Sequence, residues 1–308
     1  MKTFLITGVS SGLGRAFAQG ALDAGHTVVG TVRKEADLTA FEQLAPGRAH
    51  GRLLDVTDDE AVFRVIDDAE ATVGPLDVVI ANAGYGLEGV FEETPLSEVR
   101  AQFATNVFGA AATLQAALPH MRARRSGHLM AVTSMAGLMT VPGMSAYCAS
   151  KFALEGLLDS LRKEVSGFGI HVTAIEPGSF RTEWAGRSMT RAERSIADYD
   201  ELFEPLRAAR IKASGNQLGN PQKAAEAVLH ILDVPEPPGH LVLGSDALRL
   251  IGQARQAVDG APRTSPTVRR SRATDPRTRA RPAHTGRAGR RGGPGGAATR
   301  GRAVARPK

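Results

Sequence analysis

Cysteine occurs once in the 308 residues, at Cys148, so no intrachain disulfide can form and nothing points to an oxidising compartment. No apolar run approaches the roughly 20 residues of a membrane-spanning helix, and no membrane role is expected. The opening MKTFLITGVSSG reaches polar and glycine residues by position 7, too early for the apolar region of a signal peptide. It reads instead as a first β-strand, and the expected location is cytoplasmic. Aromatic residues make up only 5% of the chain, with one Trp and three Tyr, while hydrophobic residues make up 42%. A large core is therefore affordable, built mainly from aliphatic side chains. The eight His residues show no metal-ligand spacing such as H-E-x-x-H, so no catalytic metal is expected.

Acidic residues are scarce in one place only. The chain carries a formal charge of +6, yet from Ala261 onward 14 of its 38 basic residues are accompanied by a single acid, Asp275. Residues 1–260 are left with an excess of seven negative charges, so the basic balance belongs to the tail. Residues 259–308 read as an Arg/Pro/Gly-rich disordered segment, because they hold almost no large apolar side chain to offset ordering entropy. Arginines there could contact polyanions through counterion release. No aromatic residue is interleaved with them, and nucleic acid is not an expected partner.

Residues 1–258 alternate short apolar runs with helical stretches. Strands are expected at 3–8, 27–32, 52–56, 76–84, 127–134, 171–178 and 239–245. Helices are expected near 13–24, 58–72, 96–124, 147–168 and 221–233. Near-continuous apolar strands separated by helices imply a parallel sheet covered on both faces. The expected fold class is α/β, a single Rossmann-type, doubly wound domain of about seven strands.

The stretch TGVSSGLG (7–14) follows a strand and opens a helix, the context in which spaced glycines suit a phosphate group. Gly8 permits a tight turn, Gly12 lets the backbone approach a pyrophosphate, and Gly14 allows the helix to pack closely on the strand. The helix N-terminus then presents unpaired N–H groups and a positive dipole end. Where an NAD site usually has an acidic residue, the second strand ends in Arg33 and Lys34, cations suited to a 2′-phosphate. NADP(H) is therefore favoured over NAD(H). Asp55 can accept from an adenine amino group or cap the following helix.

SAYCASK (145–151) places Tyr147 and Lys151 one helical turn apart on one face. A phenol ionises near pH 10 when unperturbed. A neighbouring ammonium favours the phenolate and brings the group toward neutral pH, where general acid–base catalysis works best. Ser134 ends its strand at the carboxyl edge of the sheet, where it can hydrogen-bond a substrate oxygen and steady developing charge.

Taken in order, TGVSSGLG, NAG (82–84), Asn106, Ser134, the Tyr147/Lys151 pair and EPGSFRT (176–182) resemble the classical short-chain dehydrogenase/reductases over roughly 1–250. The resemblance implies an NAD(P)-dependent oxidoreductase acting on CH–OH groups, with catalytic Asn106, Ser134, Tyr147 and Lys151. In that family the Asn kinks its helix and holds a water that links the Lys to solvent. Cofactor contacts are implied at Gly8, Ser10, Ser11, Gly12, Leu13 and Gly14, and at Arg33, Asp55 and Val56. Further contacts are implied at Asn82, Ala83, Gly84, Tyr147 and Lys151, and at Pro177, Gly178, Phe180 and Thr182. Pro177 and Gly178 would turn the chain under the nicotinamide, and Thr182 would bond its carboxamide. The family also implies a homodimer or homotetramer built on helices 96–124 and 147–168.

The variable substrate lid of such proteins corresponds to about 183–215 here. Trp184, Met189, Tyr199 and Phe203 are expected to form an apolar cover, and Leu138, Met139, Val141 and Met144 an apolar entrance. No Arg clamp for an anion is evident unless Arg181 and Arg187 face inward. The expected substrate is an uncharged, largely apolar ketone or aldehyde and its alcohol. The alternative is a catalytically silent dinucleotide sensor or partner-binding protein on the same fold. An epimerase-type T-G-x-x-G-x-x-G loop and an enoyl-reductase spacing of seven between Tyr and Lys are both missing.

Overall fold

The structure, a computed structural model, describes residues 1–260. The disorder expected of 261–308 lies outside the described residues. In chain order the elements are β1 (Thr3–Ile6), α1 (Gly12–Asp23), β2 (Thr27–Val32), α2 (Glu35–Glu42), β3 (Ala49–Leu53) and α3 (Asp59–Thr72). There follow β4 (Val78–Ala81), β5 (Gly86–Glu88), α4 (Leu96–Phe103), a π-helical stretch (Ala104–Gly109), α5 (Ala110–Arg124) and β6 (Gly127–Val132). The C-terminal half holds α6 (Ser145–Val165), β7 (Ile170–Pro177), β8 (Met189–Arg191), α7 (Asp200–Ala213), α8 (Pro221–His230), β9 (His240–Leu243) and α9 (Ser245–Gly260).

Seven strands form one parallel sheet in the order β3-β2-β1-β4-β6-β7-β9, the doubly wound arrangement. The central strands are buried on both faces: Phe4, Leu5 and Ile6 of β1 and the whole of β4 are all but inaccessible. That is why their sequences run apolar without alternation. On one face Phe17, Ala18, Ala21 and Leu22 of α1 pack with Ala224, Ala225 and Val228 of α8. On the other face α3, α5 and α6 close over Leu5, Val29, Val79, Leu129 and Val172. The strand ends over which ligands bind in such sheets are thus held by two separate cores.

Three expectations need correction. The third strand is 49–53, not 52–56, because β3 is registered by β2, Val28 facing Ala49 through Val32 facing Leu53. Leu54 and Val56 are buried like strand residues but lie beyond it. The helix expected at 96–124 is continuous but changes pitch over Ala104–Gly109. The lid contains its own helix, α7, and a strand, β8, which pairs in parallel with β5.

Candidate active site

The turn after β1 needs left-handed backbone at Gly8 (φ 73°) and Gly12 (φ 61°), which glycine adopts without a Cβ penalty. A Cβ on Gly14 would collide with the Asn82 amide and the Gly8 carbonyl, so close packing of helix on strand requires glycine. Asn82 fastens this turn: its Nδ2 donates to the carbonyls of Thr7 (2.8 Å) and Gly8 (3.1 Å). The Thr7 hydroxyl accepts from the N–H groups of Asn82 (2.9 Å) and Ala83 (3.0 Å). The α1 N-terminus has no acidic residue in its first turn and no side-chain cap from Ser11, and the space where a Gly12 Cβ would stand is open. Ser10 and Ser11 sit before it, and Leu13 follows in its first turn. Unpaired donors, an open cradle and no competing carboxylate fit a dinucleotide pyrophosphate.

Arg33 and Lys34 are exposed just past β2. Asp55 accepts from the N–H (3.0 Å) and hydroxyl (2.8 Å) of Thr57, and the N–H bond is the main reason its carboxyl lies below the usual range. Of the two roles open to Asp55, the helix cap belongs to Asp58, which accepts from Ala61 N at 2.9 Å. Val56 packs on Gly109 of the π-helical stretch, where a Cβ would meet it at 2.7 Å.

The four catalytic candidates converge. Ser134 follows β6, while Tyr147 and Lys151 lie on the first turns of α6, and all three are buried. The Tyr147 phenol lies close enough to Ser134 for that hydroxyl to favour its ionised form. Lys151 Nζ donates to the Val132 carbonyl at 2.8 Å and lies 5.8 Å from the centre of the Tyr147 ring. Asn106 sits in the π-helical stretch; its Oδ1 accepts from Tyr85 N (3.0 Å), and its Nδ2 donates to Tyr85 O (3.0 Å) and Ser150 Oγ (3.2 Å). The loop after β4, the long helix and α6 are thereby joined at one amide.

The electrostatics differ from the sequence expectation. Burial, not the ammonium, dominates: the Tyr147 phenol is pushed up to about 12, with the Ser134 hydroxyl opposing. Burial pulls Lys151 down to about 8, and the Glu155 charge opposes that fall. The phenol is desolvated by Ala136, Met144, Cys148 and Met189, with Val141 and Trp184 packed against them. Cys148 is a small buried residue whose thiol burial pushes up.

Beyond β7, Gly178 donates to the Leu243 carbonyl (2.8 Å) and Phe180 is buried beside Gly219. The Thr182 hydroxyl accepts from Trp184 N at 3.3 Å, and Pro177 ends the strand. Arg181 and Arg187 point to solvent. The expected apolar entrance is only half correct: Met139 packs with Ala247 and Ile251 of α9, and Leu138 joins that cluster, while Val141 and Met144 face Tyr147. Tyr199 donates to Glu92 at 2.7 Å rather than serving as bare apolar cover.

What the sequence left unread is the lid's fastening. Glu88 on β5 is 1% exposed and pairs with Arg191 of β8 (2.8 Å) and Arg210 of α7 (2.6 Å). Glu93 pairs with Arg194 (2.7 Å), which also holds Asp200 and Glu204.

The short chain dehydrogenase family model matches residues 2–193. The chain is 38% identical over 264 residues to "Oxidoreductase BOA17" of Botryotinia fuckeliana, covering 84% of this chain and 95% of that protein. It is 35% identical over 213 residues to the NADPH-dependent 3-dehydrocapnine reductase of Ornithobacterium rhinotracheale, covering 67% of this chain and 75% of that one. A solved short-chain dehydrogenase from Streptomyces avermitilis superposes with a TM-score of 0.81 at 39% identity, over 89% of this chain and 100% of that one. Motif order, sheet topology and these likenesses agree: the chain belongs to the short-chain dehydrogenase family and is an oxidoreductase.

Proposed function

We propose that this oxidoreductase uses NADP(H) to interconvert an uncharged, mostly apolar ketone or aldehyde and its alcohol, with Tyr147 as the general acid/base. One observation carries the reading: Ser134, Tyr147 and Lys151 are gathered at the carboxyl edge of β6, the Ser134 hydroxyl beside the phenol and the ammonium one turn away.

The α1 N-terminus would hold the pyrophosphate, and Arg33 with Lys34 a 2′-phosphate. Asp55, Val56 and the turn Asn82–Gly84 would border the adenosine half, and Pro177, Gly178, Phe180 and Thr182 the nicotinamide half. When bound, the dinucleotide supplies or accepts the hydride. Ser134 donates to the carbonyl oxygen, which gains negative charge as the carbonyl is reduced. Tyr147 keeps its proton at neutral pH, the form that protonates a nascent alkoxide when the carbonyl is reduced. Lys151 remains mostly protonated at pH 7 and holds the phenol's surroundings positive. Asn106 ties the Tyr85 backbone to the Ser150 hydroxyl.

Trp184, Met144, Met189 and Val141 cluster with Tyr147, an apolar lining that suits an apolar substrate. Exposed Phe108 and Phe152 on the long helix and α6 support a homo-oligomer through those helices. The test is NADPH absorbance with a panel of ketones and aldehydes, comparing wild type with Tyr147→Phe. Turnover is expected to fall at least about 100-fold, the usual scale of a lost acid/base, with NADPH binding kept. Equal rates would remove Tyr147 from the chemistry.

A further inference from the structure

Behind Lys151 lies a second group of ionisable side chains that the chemistry above does not use. Glu155 follows Lys151 by one turn of α6, Glu176 sits in β7, and His240 opens β9. His240 Nδ1 is 2.6 Å from Glu176 Oε1 and 3.7 Å from Glu155 Oε2, while its Nε2 is 3.1 Å from Asp159 Oδ1. Glu155 is 5% exposed and Glu176 is fully buried. Both carboxyl oxygens of Glu155 and Oε2 of Glu176 are buried without a hydrogen-bond donor. The nearby Thr133 hydroxyl gives its proton to the Ile175 carbonyl at 2.9 Å.

Two neighbouring carboxyl groups shut away from water and starved of donors do not both ionise. One proton shared between them satisfies oxygens that nothing else serves, and the pair titrates as a unit. Burial raises both acids above the usual carboxylate range. His240, one-third exposed, links the pair to solvent and favours its charged form. The other charges facing the cluster are Lys151, Asp159 and Arg162 on α6 and Arg255 on α9. Glu155 is the one group recorded as opposing the desolvation of Lys151.

We propose that Glu155 is a positioning residue for the proton transfer: together with Glu176 and His240 it forms a buried proton-holding cluster that sets the charge of Lys151. This rests on the proposed role of the Tyr147/Lys151 pair. When the cluster gives up its proton, the Glu155 carboxylate keeps Lys151 protonated. When Glu155 is neutral, burial acts on Lys151 unopposed.

The experiment is the pH dependence of kcat, and separately of NADPH binding followed by Trp184 fluorescence, in wild type, Glu155→Gln, Glu155→Asp and His240→Asn. Glu155→Gln mimics a permanently protonated acid, so the high-pH arm of both profiles is expected to move down by about one pH unit. His240→Asn, at a partly exposed position, removes the imidazole whose contact with Glu176 favours the carboxylate and is expected to shift the arm in the same direction by less. Glu155→Asp keeps the charge and is expected to hold the arm near wild type. Superimposable profiles in Glu155→Gln and His240→Asn, with Tyr147→Phe inactive, would overturn this inference and leave the proposed function standing. Full activity of Tyr147→Phe would overturn both. If Glu155→Gln does not fold, His240→Asn alone decides.

Discussion

Trp184 lies across Tyr147, the two rings 5.2 Å apart at an angle of 54°. The lid residue thus packs against the ring that carries the phenol. Trp184 is the sole tryptophan of the chain.

Replacing that indole is the direct probe of what the lid admits. Trp184→Ala is expected to raise kcat/KM for bulky ketones about tenfold relative to small ones, the value of a few apolar contacts. A ratio unchanged from wild type across a size series of ketones would rule out Trp184 as a selector.

Arg33 offers the simplest test of cofactor choice. Its guanidinium stands exposed beyond β2, with Lys34 beside it and Asp55 close enough to feel its charge. Arg33→Ala is expected to weaken NADPH binding roughly 10- to 100-fold, the loss of one charge-assisted phosphate contact, and to leave NADH affinity unchanged. Equal loss for both cofactors would refute a 2′-phosphate contact.

Glu88 holds β5, β8 and α7 together. Glu88→Gln leaves Arg191 and Arg210 short of their shared carboxylate, and breaking such a buried arrangement costs about 3 kcal/mol. Faster tryptic cleavage within 183–215, together with a lower Tm, is the expected result. An unaltered digestion rate would mean the lid is anchored elsewhere.

His128, on β6 opposite His171 of β7, makes stability sensitive to acid. Burial, with His171 and Lys2 adding to it, pulls its pKa down to about 3, and its Nε2 pairs with Thr173 Oγ1 at 2.8 Å. The folded state therefore binds the proton more weakly than the unfolded chain. Its contribution is complete above pH 6.5 and is lost as pH falls toward 3. At pH 5 the loss is about 2 kcal/mol. Chemical denaturation at pH 7 and pH 5 should show a smaller drop for His128→Asn than for wild type.

The strands were legible because β1, β4, β6 and β7 are largely buried on both faces and mostly apolar in sequence. β3 was misplaced because Leu54 and Val56, buried on a loop, imitate strand residues. α2 escaped notice because only Phe41 of its eight residues is buried, which leaves no stripe to read. Tyr147 and Lys151 were visible as a pair because a single turn of helix separates them. Glu88 with Arg210, and Glu155 with Glu176 and His240, were not. Their members come from distant segments that only the folded sheet and lid bring together.

The π-helical stretch at Ala104–Gly109 has a consequence for how this chain tolerates insertion and deletion. Each residue of an ordinary helix advances the azimuth by about 100°, and the wider π turn takes up an extra residue without turning α5 by that angle against α4. Removing one residue from 104–109 would restore uniform winding and take away the widened turn from which Asn106 reaches Tyr85 and Ser150. The hexapeptide is a spacer between a site-facing and a sheet-facing cylinder, fixed in length by its pitch and in composition at Asn106 and Gly109.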